Sequence, residues 1–385
     1  MATRGDVASP LFIRGSEKRR AGDPLPRSQR PTLVPDEYLA MSDEEARQRV
    51  LAVKRKLGKE LVILGHHYQR PEIVALADYR GDSFGLSKLA AQSEARYIVF
   101  CGVHFMAESA DILSREDQVV LHPNLEAGCP LADFAPLELV EPVWDYLGRV
   151  LGEGRVMPVT YMNSYAELKA FVGRNGGTVC TSSNAHRAFQ WALEQREKLF
   201  FFPDQYLGRN TLKRLGRGNL QVVVWPSQQP DAAVPEEQVR SADVFLWDGF
   251  CHVHRWFRPE HVDRVRELDP QAIVLVHPEC QEEVVARADH VGSTEFIARY
   301  VASAPDGAHI AIGTEINMVR RLAMEHPTKR IYPLARSMCP NMFKITLQSL
   351  AWTLENLGEV NVVKVPEPTR SQARAALDRM LELEA

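Results

Sequence analysis

Apolar runs of four or five residues recur along the chain, separated by longer amphipathic stretches. They are Leu61–Gly65, Tyr97–Cys101 and Gln118–Leu121, then Val156–Thr160, Leu199–Phe202, Gln221–Trp225 and Val244–Trp247, and finally Ala272–Val276, His309–Ile312 and Arg330–Pro333. A short, continuously apolar run predicts a strand covered on both faces. Alternation with helical stretches predicts small parallel sheets sandwiched by helices. Two of the runs lie in register. Leu61–Gly65 ends in His66, and twelve positions on comes Asp78, within Ala77-Asp78-x-x-Gly81-Asp82-Ser83. Ala272–Val276 ends in His277, and twelve positions on comes Asp289, within Ala288-Asp289-x-x-Gly292-Ser293-Thr294, an offset of 211 residues. Val156–Thr160, with Tyr161-Met162-Asn163-Ser164 and later Thr181-Ser182-Ser183-Asn184, reads as a weaker middle copy. The pattern predicts an α/β fold of three similar αβα domains with three strands each.

The repeats divide the chain into a first domain over 36–140, a second over 141–260 and a third over 261–355. The second carries an insertion around Gln205–Arg240. The basic, proline-rich residues 1–35 read as a flexible extension. Residues 356–385 read as a C-terminal segment with a surface helix, for which Ser371 is the candidate cap. Composition adds exclusions. At ~150 residues per domain, 385 residues amount to about 2.6 domains, consistent with three uneven units. A net charge of -4 excludes a strongly basic nucleic-acid binder. No apolar stretch is long enough for a membrane span. The N-terminus lacks a secretory pattern, so a reducing, cytoplasmic setting is expected, with cysteines as thiols.

Candidate chemistry falls at the ends of the predicted strands, where ligands bind in parallel α/β units. Cys129, Cys251 and Cys339 occupy equivalent closing loops, one per unit, 122 and 88 residues apart. Alone, each would be a small buried hydrophobe. Around a pseudo-threefold axis the three would converge. Such a trio suits zinc, completed by His252 or His254. It equally suits a [4Fe–4S] cluster with one iron left open as a Lewis acid. Cys101, Cys180 and Cys280 are assigned to packing. His66 and its counterpart His277 can exchange protons near neutral pH. Tyr68 can donate to an oxyanion, and Glu279 suits a base or an ion-pair partner. Tyr161 and Asn163 alternate, so both can face one cavity. Ser83, Ser182, Ser293 and Thr294 supply hydroxyls near helix starts, suited to carboxylate or phosphate but equally to N-capping. Arg209, Lys213, Arg214 and Arg217 in the insertion read as a solvated loop, with an anion entrance as the alternative.

These residues resemble the quinolinate synthase family of NAD biosynthesis, from about Leu61 to Leu350. The resemblance rests on Gly65-His66-His67-Tyr68-Gln69, Gly81-Asp82-Ser83, Gly128-Cys129-Pro130, Tyr161-Met162-Asn163-Ser164, Cys180-Thr181-Ser182-Ser183-Asn184, His277-Pro278-Glu279-Cys280, Ile312-Gly313-Thr314-Glu315 and Cys339-Pro340-Asn341-Met342. It implies three similar domains in pseudo-threefold arrangement around a central active site. It implies one [4Fe–4S] cluster per chain on Cys129, Cys251 and Cys339. It implies condensation of iminoaspartate with dihydroxyacetone phosphate to quinolinate, phosphate and water, with iminoaspartate supplied by an L-aspartate-oxidising enzyme. His66, Tyr68, Tyr161 and Glu279 are the implied catalytic residues. Ser83, Asn163, Ser182, His277, Ser293 and Thr294 are the implied substrate-binding residues. His67 departs from the asparagine many members carry, and His252 from a frequent proline. A zinc-stabilised protein binding an anionic metabolite, or an iron–sulfur sensor, are the competing expectations. Neither nucleic acid nor membrane is expected as a partner.

Overall fold

The computed structural model describes residues 34–228 and 234–383. All but the last two residues of the expected N-terminal extension lie outside that range. After a single turn at Asp36–Leu39 comes the helix Asp43–Leu57. Ser42 Oγ accepts from Glu45 N at its start, acids fill the first turn, and Lys54, Arg55 and Lys56 fill the last. Each end therefore complements the helix dipole.

Three sheets follow. The first comprises β1 (Leu61–His66), β2 (Tyr79–Gly81), β3 (Tyr97–Cys101) and β4 (Val119–Leu121). The second comprises β5 (Val156–Tyr161), β6 (Thr178–Cys180), β7 (Lys198–Phe202), β8 (Val222–Trp225) and β9 (Val244–Trp247). The third comprises β10 (Ile273–Val276), β11 (His290–Val291), β12 (His309–Gly313) and β13 (Arg330–Pro333). A last strand, β14 (Val362–Val363), joins the first sheet. The expectation of three strands per unit is corrected: the sheets have five, five and four strands. One four-strand parallel order is nonetheless shared, β2-β1-β3-β4, β6-β5-β7-β9 and β11-β10-β12-β13. The strand missed in each unit is the short one, two or three residues long, after the central β1, β5 or β10.

The repeated aspartates explain how these short strands form. Asp78 N donates to Ile63 O while its Oδ2 accepts from Ile63 N, both at 2.8 Å. Asp289 brackets Val274 in the same way, at 3.0 and 2.7 Å. Each carboxylate also meets a cation from the preceding helix, Lys54 at 2.8 Å and Arg266 at 2.7 Å. One carboxylate thus does a strand's hydrogen bonding just before β2 or β11 begins.

The second sheet is held by Phe200, Phe201, Phe202, Trp225, Phe245 and Trp247, all fully buried. The described part of its insertion carries regular structure in place of the loop. Gln205–Arg214 is a helix capped by Asp204, and β8 pairs in parallel with β9. The C-terminal helix also departs from expectation. It spans Thr369–Glu382, follows Pro368, and has Ser371 inside its first turn with no capping bond to the helix N–H groups. It is not merely a surface helix: Ala373, Ala376, Leu377 and Met380 are buried in the core that the first and second sheets share. Its backbone lies on the helix Ala166–Arg174 so closely that a Cβ on Gly173 would sit 1.9 Å from Gln372 O. Its forerunner β14 pairs antiparallel with β4. The segment therefore joins the first sheet to the second. No helix among the described residues is long and apolar enough to cross a membrane.

Candidate active site

The carboxyl ends of the strands and the closing loops meet at one cavity. It is lined by His66, Tyr68 and Ser83 after β1 and β2, and by Cys129 beyond β4. The middle unit contributes Tyr161, Asn163, Ser182 and Cys251, and the third contributes His277, Glu279, Thr294 and Cys339. Of the sequence-predicted site residues only Ser293 is absent from this lining. Its Oγ accepts from Phe296 N as the cap of Thr294–Ser303, and it lines an adjoining outer basin. Ser83 is not a cap, because Asp82 does that work for the helix Ser83–Gln92. A larger surface groove around Trp144, Arg149, Arg174 and Arg196 lies at the opposite ends of the middle strands and carries neither thiol nor imidazole.

The repeat extends to the imidazoles. His66 Nδ1 accepts from Tyr68 N at 3.2 Å, and His277 Nδ1 accepts from Glu279 N at 3.4 Å. The backbone thereby fixes the tautomer, leaving each Nε2 as a donor aimed away from its own turn. Burial, reinforced by neighbouring cationic groups, holds both rings neutral, with pKa values down at about 3. His277 Nε2 lies 3.3 Å from Ser182 Oγ.

Glu279 is buried, and burial alone would raise its carboxyl. His254, His277 and Tyr161 outweigh that and hold it down at about 2. The His254 and His277 rings stack 4.3 Å apart. With His277 neutral, His254 and the Tyr161 hydroxyl are the effective partners of the carboxylate. His254 Nδ1 sits 2.6 Å from Glu279 Oε2, and its Nε2 is 3.1 Å from Thr314 Oγ1. Tyr68 OH lies 2.6 Å from Thr314 Oγ1 and 3.2 Å from His254 Nε2. A hydrogen-bonded chain therefore runs from Tyr68 through Thr314 and His254 to Glu279 and on to Tyr161. Burial, and then the negative Glu279, keep both tyrosines protonated well past their ordinary range.

His254 and Thr314 belong to this chain but were missed as site residues. Their signal was present, His254 as a possible zinc partner and Thr314 within the motif Ile312-Gly313-Thr314-Glu315. Asp204 was missed entirely. It is wholly buried, caps the helix Gln205–Arg214, and accepts from Cys251 N at 3.2 Å, so it orients a cysteine loop.

Cys129, Cys251 and Cys339 are half-buried free thiols on the cavity, whereas Cys101, Cys180 and Cys280 are fully buried. Burial raises all three cavity thiols, Cys339 to about 11, and a further rise in Cys129 and Cys251 comes from their fellow cysteines. Such neighbours resist becoming thiolates unless a positive centre draws on them together, which is the condition for cluster ligands. Asn163 Nδ2 approaches Cys129 Sγ at 4.0 Å, a contact suited to a polarised sulfur. Among the described residues, the trio whose ligand atoms lie within 4.8 Å of one another is Cys251, His254 and Glu279.

Fold and site together define an α/β enzyme whose mostly parallel sheets point their strand ends at one thiol-lined cavity. The sequence profile described as quinolinate synthetase A protein matches residues 48–382. The chain belongs to that family. A quinolinate synthase from Acidobacterium capsulatum is 51% identical over 361 residues, covering 90% of this chain and 95% of the relative. One from Streptomyces coelicolor is 49% identical over 367 residues, covering 93% of each. One from Bacillus anthracis is 45% identical over 357 residues, covering 91% of this chain and 96% of the relative.

Proposed function

We propose that this chain condenses iminoaspartate with dihydroxyacetone phosphate to give quinolinate, inorganic phosphate and two waters. The observation that carries the reading is one cavity combining three loop thiols, two tautomer-fixed neutral imidazoles and a carboxylate tied to two tyrosines. Cys129, Cys251 and Cys339 would hold one [4Fe–4S] cluster. When bound, its open iron supplies Lewis acidity to a substrate oxygen. The three units, taken as 36–140, 141–260 and 261–355, would sit about a pseudo-threefold axis through this cavity. The thiols suit a reducing, cytoplasmic setting. Labile iminoaspartate requires an L-aspartate-oxidising enzyme as its source.

The chain's own groups then have distinct tasks. The Nε2–H groups of His66 and His277 donate to carboxylate or carbonyl oxygens without adding charge. Ser83, Ser182, Ser293 and Thr294 supply hydroxyls for phosphate and carboxylate. Asn163 and Tyr161 orient the condensing carbons. Glu279 takes a proton at Oε2, which His254 otherwise occupies, and Tyr68 returns one through Thr314. The described cavity encloses about 60 Å³, so substrates must part its walls on entry.

Glu279→Gln keeps the shape and removes the base. Anaerobically reconstituted variant should retain about four irons per chain while turnover to quinolinate falls about 10²-fold or more. Wild-type turnover in that variant would remove Glu279 from the mechanism. The trio Cys251, His254 and Glu279 favours one rival, a single divalent ion in a non-catalytic protein. That rival needs the His254–Glu279 hydrogen bond to be given up. Zinc without iron, and no quinolinate from the wild-type protein, would establish it.

A further inference from the structure

Outside the cavity lies a second, roomier space. It encloses about 410 Å³ and is walled by Arg80, Asp82, Ser182, Ser183, Arg214, Ser293, Glu295 and Arg299, among others. That volume is in the range of small-molecule sites. Asp82 and Ser182 belong to both spaces, so they form the partition. Two hydrogen bonds cross between units there. Ser183 Oγ donates to Asp82 Oδ2 at 2.6 Å, and His277 Nε2 faces Ser182 Oγ at 3.3 Å. These two bonds latch the partition between the two spaces.

The charges in the basin differ in how far they are paired, and Arg299 adds to the stronger pull of His67 that holds the Glu295 carboxyl down. Arg80 is held by Glu325. Glu295 faces His67 Nε2 at 3.2 Å. Asp82 caps a helix. In the helix Gln205–Arg214, Arg209 and Lys213 both reach Glu282, at 3.8 and 2.6 Å. The side chains of Arg214, from the middle unit, and Arg299, from the third, take part in none of these pairs. Arg214 also lines a neighbouring hollow with Ser182, His186 and Asn210, so it stands where two approaches meet. It is exposed at the end of a helix, where a solvated loop was the expectation.

We propose that Arg214 and Arg299 make this basin an anion-capture site that holds the phosphate or carboxylates of each substrate before the latches open. The inference rests on the proposed reaction, whose substrates are both anionic. A guanidinium fork suits either group, since it binds planar carboxylate and phosphate oxygens in pairs. Capture of this kind raises the encounter rate and is screened by salt.

The test compares cluster-loaded wild type with Arg214→Gln, Arg299→Gln and the double variant. Arg149→Gln, in the remote groove, serves as the charge-matched control. At low ionic strength kcat/KM for dihydroxyacetone phosphate should fall about three- to tenfold in each single variant and further in the double. The difference should close as salt is raised, and the control should match wild type. Unchanged kcat/KM and an unchanged salt slope in the double variant would overturn the capture site. Equilibrium dialysis with inorganic phosphate separates this from the reaction itself. If wild type makes no quinolinate the proposed function fails, and the basin is then judged on dialysis alone. Weaker phosphate retention by the double variant than by the control supports it, and equal retention sinks it.

Discussion

His122 shows at the scale of one residue what the interior demands of a titratable group. Its ring is fully buried, with Nε2 3.2 Å from Gly102 O, and burial brings its pKa down to about 4. The unfolded chain binds that proton near pH 6.5, the folded chain only near 4. Stability from this group is therefore present above pH 6.5 and is lost as pH falls through the interval. The slope is at most about 1.4 kcal/mol per pH unit. His122→Gln should shrink the loss of stability between pH 6.5 and 4, measured by denaturant midpoints across the range; an identical pH slope would show that the ring does not drive it. Residues of this kind are hard to read from sequence, because a histidine after a strand looks the same whether it serves the site or the core. The pair His66 and His277 was legible because a second copy lay in register. His254 had no such copy, and its place beside Glu279 depends on a contact between a middle-unit loop and a third-unit strand end. The aspartates at 78 and 289 were legible as a repeat, yet their task was not. They complete sheets by bracketing Ile63 and Val274, which spacing alone does not reveal.

At the scale of elements, the central strands follow from apolar runs, and their observed ends differ from expectation by about one residue. The strands β2, β6 and β11 were invisible because two or three residues are too few for a hydrophobic run, and they form against a neighbour already in place. The insertion looked like a loop because its helix is polar on its outer face. The C-terminal helix looked peripheral because polar and charged residues fill eight of its fourteen positions. Its seating depends instead on an absent side chain. Gly173→Ala places a Cβ 1.9 Å from Gln372 O, on backbone with no rotamer to yield. The helix must shift, loosening Ala373, Ala376, Leu377 and Met380. A loss of about 2–4 kcal/mol is expected, read as a lower thermal midpoint. A melt matching wild type would mean the two helices part without cost.

At the scale of the molecule, the site exists only where three sheets meet, and side-chain bonds between units help the shared core hold them there. Asn317 Nδ2 donates to Tyr68 O at 3.1 Å, Asn210 Nδ2 to Pro278 O at 2.8 Å, and Ser337 Oγ to Val253 O at 2.8 Å. The buried Arg321 donates to His67 Nδ1 and to Glu325 Oε2, both at 3.0 Å. It secures the loop bearing His66 and Tyr68 to the third unit. Arg321→Leu should cost about 2 kcal/mol, and a double-mutant cycle with His67→Ala should return a coupling of about 1 kcal/mol. Strictly additive losses would show that the two residues do not act together. None of these pairs was legible, since each joins residues far apart in the chain through no local pattern. The C-terminal segment has a further consequence, in the order of synthesis. Val362–Glu382 follows every residue of all three units, yet it covers the open edge of β4 and the bare face at Gly173. During translation the first two units emerge with those seams exposed, one a strand edge and the other an apolar helix face. Both stay uncovered until the third unit has been made.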